Sequence, residues 1–307
     1  MITILLAAYN GERYLAEQIE SILLQTETRW KLVIQDDCST DGTFVIAQNY
    51  ASIYPDKIRV VQRGTPSGSA KNNFSSMLEY VDTEYWMTCD QDDVWLSNKI
   101  EITFFEMQNL ERQNKGIPLL VHTDLTIVNE NKNILAKSFF TYQKLDFTHD
   151  AFAYLLVQNI VTGCTAMMNR TLLKQMKAVP MDALMHDWWF ALVAAAFGRI
   201  GFVNEPTILY RQHNDNSVGA KNANSIFYLL KRVTQIQEVK KTFTSTYLQA
   251  KCFIDSYQNE LPDYALRICK KYIELPYLSK IQKIKRLGQY GFWKSSFVRQ
   301  LGQLLFI

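Results

Sequence analysis

The chain has 307 residues, of which 48% are hydrophobic and 21% are charged, and its formal net charge is +3. This is an ordinary globular composition with ample apolar material for one large domain with an appendage, or for two domains. Residues 221–307 hold 15 Lys and Arg against 5 Asp and Glu, whereas residues 1–220 hold 18 against 25. We therefore expect different partners for the two parts, and no nucleic-acid binding.

The cysteines and the apolar runs exclude several classes of protein. Five cysteines are scattered without Cys-x-x-Cys spacing, which argues against a disulfide framework or a zinc site and fits a reducing cytoplasm. The longest later apolar run, Trp188 to Phe197, falls short of the roughly 20 residues that span a bilayer. The first residues lack a basic segment, so we expect no signal peptide and a cytoplasmic protein.

Strand and helix patterns alternate through the first half of the chain. The predicted strands are Ile2 to Tyr9, Trp30 to Gln35, Lys57 to Gln62 and a run that ends at Asp90. The predicted helices begin near Leu15, at Thr43 and at Phe74. This alternation favours an α/β fold with a doubly wound, mostly parallel sheet. No Gly-x-Gly-x-x-Gly follows the first strand, so a dinucleotide site is not supported.

Polar residues follow three of these strands, at the sheet edge where ligands bind in open α/β folds. They are Tyr9-Asn10, Asp36-Asp37 and Asp90 to Asp93. The last group places three carboxylates within four residues, and such carboxylates repel one another unless a cation neutralises them. Mg²⁺ or Mn²⁺ would do this and would also bridge to a diphosphate. The alternative is a solvated acidic turn or a helix N-cap, because Asp93 and Ser97 both suit capping. For Asp93 itself we expect that it caps a helix beginning near Val94.

Five motifs, in this order, resemble the family 2 glycosyltransferases of GT-A fold. They are Ala8-Tyr9-Asn10-Gly11, Asp36 to Thr43, Asp90-Gln91-Asp92-Asp93, His186-Asp187-Trp188-Trp189 and Tyr210-Arg211-Gln212-His213-Asn214. The string Cys89 to Trp95 and the last two motifs resemble the bacterial rhamnosyltransferase branch, which builds cell-wall or capsular rhamnose polysaccharides. The resemblance implies a catalytic domain at residues 1–220, followed by a basic helical region at 221–307. Cys38 stands where the family commonly has Gly or Asn.

Ala8, Tyr9, Asp36 and Asp37 are the predicted nucleoside pocket. A carboxylate there would accept the N3–H of a pyrimidine, and the aromatic ring would stack on the base. The family pattern favours Asp37 as the base contact, although the residues alone leave both open. The alternative is that Asp36 and Asp37 only start a turn and cap a helix.

Lys71 and Asn72 follow a loop with two glycines. Lys71 would screen the charge of a diphosphate, and Asn72 would hold the base or the ribose. A solvated lysine is the alternative for Lys71.

Asp92 is the predicted metal ligand. Asp90 would reach the ribose or the metal through water, and Gln91 would lie on the donor side. Trp95 would offer its face to a sugar ring or else pack in the core. His213 would supply an imidazole to the metal or to the diphosphate, with Arg211 nearby as a further donor contact.

Asp187 opens a very apolar predicted helix and is the candidate general base. The positive end of the helix would keep its carboxylate ionised, which suits accepting a proton from an attacking hydroxyl. The alternative is an N-cap without chemistry. Further strands are predicted at Pro118 to Val128, Asn159 to Asn169 and Phe202 to Tyr210.

The last part of the chain shows helical spacing in two groups of apolar residues. They are Phe227, Leu230, Val233 and Ile236, then Leu278, Ile281, Ile284 and Leu287. The final stretch mixes Lys and Arg with Phe, Trp and Leu, which is typical of a helix in a membrane interface. The alternative is a packed appendage or a homodimer surface.

The acidic cluster together with the family resemblance implies an inverting glycosyltransferase that depends on Mg²⁺ or Mn²⁺. The resemblance implies transfer of L-rhamnose from dTDP-β-L-rhamnose to a lipid-linked glycan acceptor, at the inner face of the cell membrane. One alternative is a family 2 transferase that uses a UDP-hexose. The other is a non-catalytic, membrane-associated scaffold.

Overall fold

The computed structural model describes residues 1–213 and 236–307. The predictions for Asn214 and for the spacing of Phe227, Leu230 and Val233 lie outside the described residues. Within them the chain divides into two compact units, the first made of 1–139, 161–176 and 200–213, and the second of 140–160, 177–199 and 236–307. The second unit thus includes two segments from the range 1–220, which we predict to be one catalytic domain.

A nine-stranded sheet forms the centre of the first unit in the described residues. Its strands are β1 Ile2–Ala8, β2 Trp30–Asp36, β3 Ile58–Gln62, β4 Tyr85–Asp90, β5 Val94–Trp95, β6 Leu119–Asn129, β7 Ile134–Ala136, β8 Met167–Asn169 and β9 Arg199–Gln212. They lie in the order β3-β2-β1-β4-β8-β6-β9-β5, with β7 paired to β6. β1 runs parallel to β2 and β4, whereas β8 runs antiparallel to β4 and β6.

The helices are α1 Leu15–Leu23, α2 Thr43–Ile53, α3 Ala70–Met77, α4 Lys99–Gln113, α5 Phe139–Gln143, α6 Phe152–Val157, α7 Arg170–Gln175, α8 His186–Phe197, α9 Ile236–Tyr257, α10 Asp263–Ile273, α11 Lys280–Tyr290 and α12 Phe297–Phe306. The first four and α7 belong to the first unit, and α6 and α8 to α12 belong to the second. Among the residues that the structure describes, no helix is both long enough and apolar enough to cross a bilayer.

The fold class predicted from the alternating pattern is confirmed. β1, β2 and β4 are buried along almost their whole lengths, which explains why continuous apolar runs mark them in the sequence. Because these three strands are parallel neighbours, their carboxyl ends meet at one edge of the sheet. The polar residues that follow each strand are therefore brought to that edge.

Three predicted elements differ from those observed. The helix predicted to begin at Phe74 begins four residues earlier, at Ala70, because Ser69 caps it. No helix begins near Val94, because Val94–Trp95 pairs with β9 as a short strand and α4 begins only at Lys99. The strand predicted from Asn159 to Asn169 is reduced to β8, since Gly163–Thr165 forms a 3₁₀ turn. The Thr88 hydroxyl donates to the Gly163 carbonyl at 2.7 Å and ties this turn to β4.

The apolar helix α8 forms part of the core of the second unit. The Trp189 ring meets Phe253 of α9 edge to face with centroids 5.2 Å apart, and Phe253 lies 4.9 Å from Tyr257. The Tyr257 hydroxyl accepts the main-chain N–H of Lys177 at 3.0 Å. A helix that is apolar on all sides is normally buried, so packing accounts for the composition of this segment.

Candidate active site

The acidic loop after β4 meets the end of β9. Asp92 lies in this loop, and its Oδ2 is 2.7 Å from Nε2 of His213, which directly follows β9. The two residues are 121 positions apart in the chain, and both side chains are largely buried. The sheet therefore brings together the carboxylate and the imidazole that the sequence analysis predicts as metal ligands.

The pair formed by Asp92 and His213 fits a divalent cation. Ligand bonds of about 2.1 Å in octahedral geometry place neighbouring donor atoms about 3 Å apart, which is close to the observed separation. The carboxylate oxygen suits Mg²⁺ or Mn²⁺, and imidazole is a common ligand of transition metals.

A more deeply buried group of side chains adjoins the acidic loop. Asp90, Asp93 and Cys164 each place one potential ligand atom within 4.8 Å of the others. Burial raises the pKa of Asp93 well above its ordinary value, and the nearby carboxylates Asp92 and Asp90 raise it further. Asp93 Oδ1 accepts the main-chain N–H of Arg211 at 3.1 Å. Asp93 is therefore an internal hydrogen-bonding residue. The prediction that it caps a helix is wrong, since the next helix begins at Lys99 and its N-cap is Asn98.

Lys99 is a buried cation that the sequence analysis missed. Its amine lies 4.7 Å from the Trp95 ring centroid and 3.4 Å from the Thr165 carbonyl oxygen. Burial lowers the pKa of Lys99 to about 8, although Cys164 and Asp93 oppose this shift. No local pattern marks Lys99, because a lysine in a first helical turn ordinarily faces solvent.

Trp95 packs in the core of the first unit. Only 2% of it is exposed, and its main-chain N–H donates to the hydroxyl of the buried Ser21 at 3.1 Å. A ring this enclosed has no open face for a sugar. The structure therefore favours core packing over the predicted sugar contact.

Arg211 is also turned into the protein, with only 3% exposed. Its Nε donates to the main-chain oxygen of Asp92 at 2.9 Å, and its Nη1 to that of Glu130 at 2.7 Å. Its Nη2 forms an ion pair with Glu17 of α1. All three guanidinium nitrogens are thus engaged by the protein, which favours a positioning role over the predicted contact with the donor. The sequence offers no local signal for Glu17 or Glu130.

The two carboxylates at the end of β2 are bonded within the protein. Asp36 is fully buried, and its Oδ2 accepts the Ser39 N–H at 3.2 Å. Asp37 accepts two hydrogen bonds of 2.6 Å, from the N–H and the hydroxyl of Ser67, and it pairs with Arg63 at 3.3 Å. Asp36 thus forms a turn contact, as in the alternative interpretation that Asp36 and Asp37 start a turn. Asp37 joins β2 to the loop after β3. The base contact of Asp37 stays a prediction.

Gln91 joins the ends of β1 and β4. Its Oε1 accepts the Tyr9 N–H at 2.8 Å, and its Nε2 donates to the Tyr9 carbonyl at 2.9 Å. A Cβ at Gly11 would lie 2.2 Å from Gln91 Oε1, so only glycine fits there without a shift. Ala8 is buried, and its carbonyl accepts the Asp37 N–H at 2.8 Å. The Tyr9 residue is 54% exposed, which leaves its ring accessible for stacking.

Lys71 and Asn72 lie in the first turn of α3, whose N-cap is Ser69. The Asn72 N–H donates to Ser69 Oγ at 3.2 Å, and Asn72 Nδ2 donates to the Ser67 carbonyl at 2.8 Å. Since Ser67 also binds Asp37, these groups belong to one hydrogen-bonded loop beside the end of β2. The half-buried Lys71 lies at the start of this helix, and its contact with a diphosphate stays a prediction.

Asp187 lies in the second unit, in the first turn of α8. The N-cap residue is Met185, so the alternative that Asp187 is the N-cap is wrong. Its Oδ1 accepts the Trp188 N–H at 2.6 Å, and Trp188 Nε1 donates to the Leu155 carbonyl at 2.6 Å. A carboxylate in a first helical turn is stabilised by the helix dipole. The role of general base stays a prediction.

Two sequence comparisons bear on this site. The profile of glycosyl transferase family 2 matches residues 3–177, which is more than half of the chain. The dTDP-rhamnosyl transferase RfbG of Shigella flexneri is 28% identical over 235 residues, covering 70% of this chain and 74% of that protein.

Solved structures show the same fold at low sequence identity. S. aureus TarS 1–349 in complex with UDP-GlcNAc has a TM-score of 0.57 and 16% identity, covering 94% of this chain and 73% of that one. The mannosyltransferase PcManGT from Pyrobaculum calidifontis, in complex with GDP-Man and Mn²⁺, has a TM-score of 0.54 and 17% identity, covering 98% and 78%. These likenesses establish the GT-A fold alone. Because the family profile spans more than half of the chain and the fold agrees with it, the chain belongs to glycosyl transferase family 2.

Proposed function

We propose that the protein is an inverting, metal-dependent glycosyltransferase that transfers L-rhamnose from dTDP-β-L-rhamnose to a lipid-linked saccharide in polysaccharide biosynthesis. The observation that carries this proposal is the convergence of Asp92 and His213 at the edge of the sheet, from positions 121 apart. The family supports transfer of a sugar from a nucleotide. Rhamnose as the sugar is supported by the motif resemblance and by the likeness to RfbG.

Asp92 and His213 are the residues that would hold the cation. A divalent ion there would neutralise the charge that develops on the leaving diphosphate. The imidazole nitrogen favours Mn²⁺ over Mg²⁺, since Mg²⁺ prefers oxygen ligands. Asp90 would reach the ribose or the ion through water, and the Lys71 ammonium would add positive charge near the phosphates.

Asp187 is the proposed general base. Its carboxylate takes the proton of the acceptor hydroxyl while the hydroxyl oxygen bonds to the anomeric carbon and the bond from that carbon to the diphosphate breaks. This single displacement inverts the anomeric centre, so no covalent enzyme intermediate is formed. The Tyr9 ring stacks on the base, and Asp37 accepts its N3–H.

Turnover of dTDP-β-L-rhamnose by the purified protein tests this mechanism. With Mn²⁺ and a lipid-linked saccharide acceptor, we expect transfer that stops when the metal is chelated. Asp187→Asn, which keeps the shape of the side chain but cannot accept the proton, should lower turnover about 10²–10⁴-fold. Full activity in Asp187→Asn, or in the presence of the chelator, would rule the mechanism out.

The nucleotide is identified by shifts in melting temperature with dTDP, UDP and GDP. A ligand at a hundredfold excess over its Kd stabilises the folded state by about 2.7 kcal/mol, so the preferred nucleotide should give the largest shift. A larger shift with UDP than with dTDP would favour a UDP-hexose as donor. The absence of any shift or turnover would favour the non-catalytic scaffold.

A lipid-linked acceptor implies that the protein contacts a membrane surface. The arrangement of the C-terminal helices α11 and α12 supports this part of the proposal. Gly291, in the left-handed conformation with φ of 72°, ends α11. Near the opposite end of the pair, Lys280 Nζ donates to the Leu305 carbonyl at 3.2 Å. The two helices therefore form an antiparallel hairpin.

This α11–α12 hairpin exposes large apolar side chains. Ile281, Phe297 and Leu305 are 82%, 72% and 60% exposed. Ile284 and Leu301 are exposed as well, and the spacing of three or four residues aligns each set along one side of its helix. The exposed Lys280 adds positive charge beside them. Exposed apolar side chains with a lysine beside them match an anionic membrane surface, where each basic residue contributes about 1 kcal/mol.

Vesicle sedimentation tests this contact. The protein should sediment with vesicles of equal parts phosphatidylglycerol and phosphatidylcholine, and much less with phosphatidylcholine alone. Failure to bind either vesicle, together with a dimer in solution, would assign the α11–α12 hairpin to a second copy of the chain.

A further inference from the structure

We propose that Arg211 is a positioning residue that sets the cation affinity of Asp92 and His213 by fixing where these two side chains meet. This inference rests on the proposed function, since it takes those two residues as the metal ligands. It assigns to Arg211 a role distinct from binding the donor, and it adds Glu17 as the partner that keeps Arg211 in place.

Arg211 joins three segments that are distant in the chain. Through Nε it holds the main-chain oxygen of Asp92 in the acidic loop, and through Nη1 that of Glu130 in the turn between β6 and β7. Through Nη2 it meets the carboxylate of Glu17 on α1. The loop that carries one proposed ligand is thus bonded to a side chain two residues before the other. A planar guanidinium suits this task because its donors point in fixed, divergent directions.

The imidazole of His213 is held by the same cluster. Its ring centroid is 5.0 Å from that of Tyr14, at an interplanar angle of 30°. The guanidinium carbon of Arg211 lies 4.8 Å from the same Tyr14 centroid. Tyr14 therefore contacts both side chains, so a shift of Arg211 would be transmitted to the imidazole as well as to the acidic loop.

Glu17 is itself held on two sides. Its carboxylate pairs with Lys132, in the turn between β6 and β7, as well as with Arg211. Arg13 pairs with Glu130 of the same turn at 3.0 Å. The ends of α1, β6 and β9 are consequently joined by ion pairs around one buried guanidinium.

This arrangement explains why a cation would meet ligands that are already oriented. Outer residues that orient metal ligands typically change metal affinity 10–100-fold when they are altered. A lysine at position 211 would keep the positive charge but has a single ammonium group. That group cannot replace the three guanidinium nitrogens, which donate in different directions to the Asp92 carbonyl, the Glu130 carbonyl and the Glu17 carboxylate.

The test measures binding of Mn²⁺ alone to the full chain, by titration calorimetry or by the paramagnetic resonance signal of the free ion. Arg211→Lys and Glu17→Gln should each raise the Kd for Mn²⁺, by about 10–100-fold for Arg211→Lys. His213→Ala removes a proposed ligand and should weaken binding at least as much. Arg29→Lys is the matched control, because Arg29 forms an exposed ion pair with Glu27, and it should bind Mn²⁺ like the unaltered protein.

A kinetic measurement separates positioning from direct contact with the donor. For Arg211→Lys, raising Mn²⁺ should return kcat toward that of the unaltered protein while the KM for the sugar nucleotide changes little. An unchanged Kd for Mn²⁺ together with a raised KM would overturn the inference and assign Arg211 to the donor.

The result also separates this inference from the proposed function. If His213→Ala loses Mn²⁺ binding but Arg211→Lys and Glu17→Gln keep it, the positioning role fails while the metal site stands. If His213→Ala binds Mn²⁺ as the unaltered protein does, the proposed metal site fails and the positioning role fails with it. Should Arg211→Lys not fold, Glu17→Gln decides the question by the same measurement.

Discussion

The acidic edge of the sheet and the α11–α12 hairpin depart from ordinary packing in opposite directions. At the edge, charged residues such as Arg211 and Lys99 are buried, whereas the hairpin leaves Ile281, Phe297 and Leu305 exposed. Globular proteins usually do the reverse, because a buried charge and an exposed apolar side chain both cost free energy. The proposed function assigns a cation and a diphosphate to the edge and a lipid surface to the hairpin.

The two regions also differ in how they are held. The edge depends on directional bonds between residues far apart in the chain, such as the pair of Asp92 and His213. The apolar side chains that the hairpin exposes cannot form such bonds. Their helices are held by the capping box of Ser279 and Gln282 and by long-range hydrogen bonds such as that from Arg299 Nη1 to the Gln143 carbonyl at 2.6 Å. We therefore expect single substitutions to have large effects at the edge, whereas the hairpin should respond in proportion to the apolar area removed.

Of the substitutions that compare these two regions, Asp92→Asn at the edge should have the largest effect. Loss of the carboxylate charge removes electrostatic stabilisation of the leaving diphosphate, which should lower kcat about 10²–10³-fold. Steady-state kinetics at saturating Mn²⁺ measures this. Asp56→Asn is the control, because Asp56 is an exposed residue before β3 and should retain full activity. If Asp92→Asn lowered kcat by less than tenfold, the edge would not be more sensitive to single substitutions than the hairpin.

The next effect concerns the hairpin. Burying one large aliphatic side chain contributes roughly 1.5–3 kcal/mol, so Ile281→Glu with Leu305→Glu should weaken binding to anionic vesicles at least about tenfold. Because both side chains are exposed, the free energy of unfolding should change by less than about 0.5 kcal/mol per site. Val45→Glu, at an exposed apolar residue of α2, should bind vesicles normally. Equal loss in this control would show that added charge alone is responsible.

A smaller effect is expected from pH at the edge. Burial would raise the pKa of Glu17, but Lys132 and Arg211 more than compensate and hold it below its ordinary value of 4.5. The stability that Glu17 contributes is therefore fully present above about pH 4.5 and is lost as the pH falls through its folded-state pKa.

Denaturant unfolding of the unaltered protein and Glu17→Gln should show this dependence. We expect a difference of roughly 1 kcal/mol at neutral pH that shrinks in acid. The hairpin double variant should show no comparable change with pH. A constant difference for Glu17→Gln at all pH values would contradict the assignment of this stability to the ion pairs.

The smallest effect is expected for Cys38→Gly. Cys38 adopts a φ of 62°, in the left-handed region that costs other residues roughly 1–2 kcal/mol and that Gly adopts freely. The gain is reduced by the greater freedom of Gly in the unfolded chain and by loss of the contact between Cys38 Sγ and the Arg63 carbonyl at 3.2 Å. Urea denaturation should show stabilisation of up to about 1 kcal/mol. A clear destabilisation would show that the thiol contact dominates.

Local sequence pattern was sufficient to predict the fold class and the strands that lead to the site. The runs before Tyr9, Asp37 and Asp90 are apolar because parallel strands in the centre of a sheet are buried on both faces. The polar residues that follow them lie at the carboxyl edge, as the alternation of strands and helices indicated. Periodicity carries this information because side-chain direction repeats regularly within one element.

The same patterns did not reveal how residues of different elements meet. Asp93 is buried, Lys99 lies in the core and Arg211 bonds to Glu17, whereas the local sequence favoured a surface or ligand-contacting position for each. For Trp95, which is buried, the local sequence left core packing and a sugar contact both open. Their positions depend on strand order and on the packing of α1 and α4 against the sheet, which no local pattern specifies. The sequence by itself thus determined which segments become strands and where their polar ends lie. The resemblance already predicts Asp92 and His213 for one site. Only the tertiary structure decided how the two side chains meet, because a contact over 121 positions is set by register and packing.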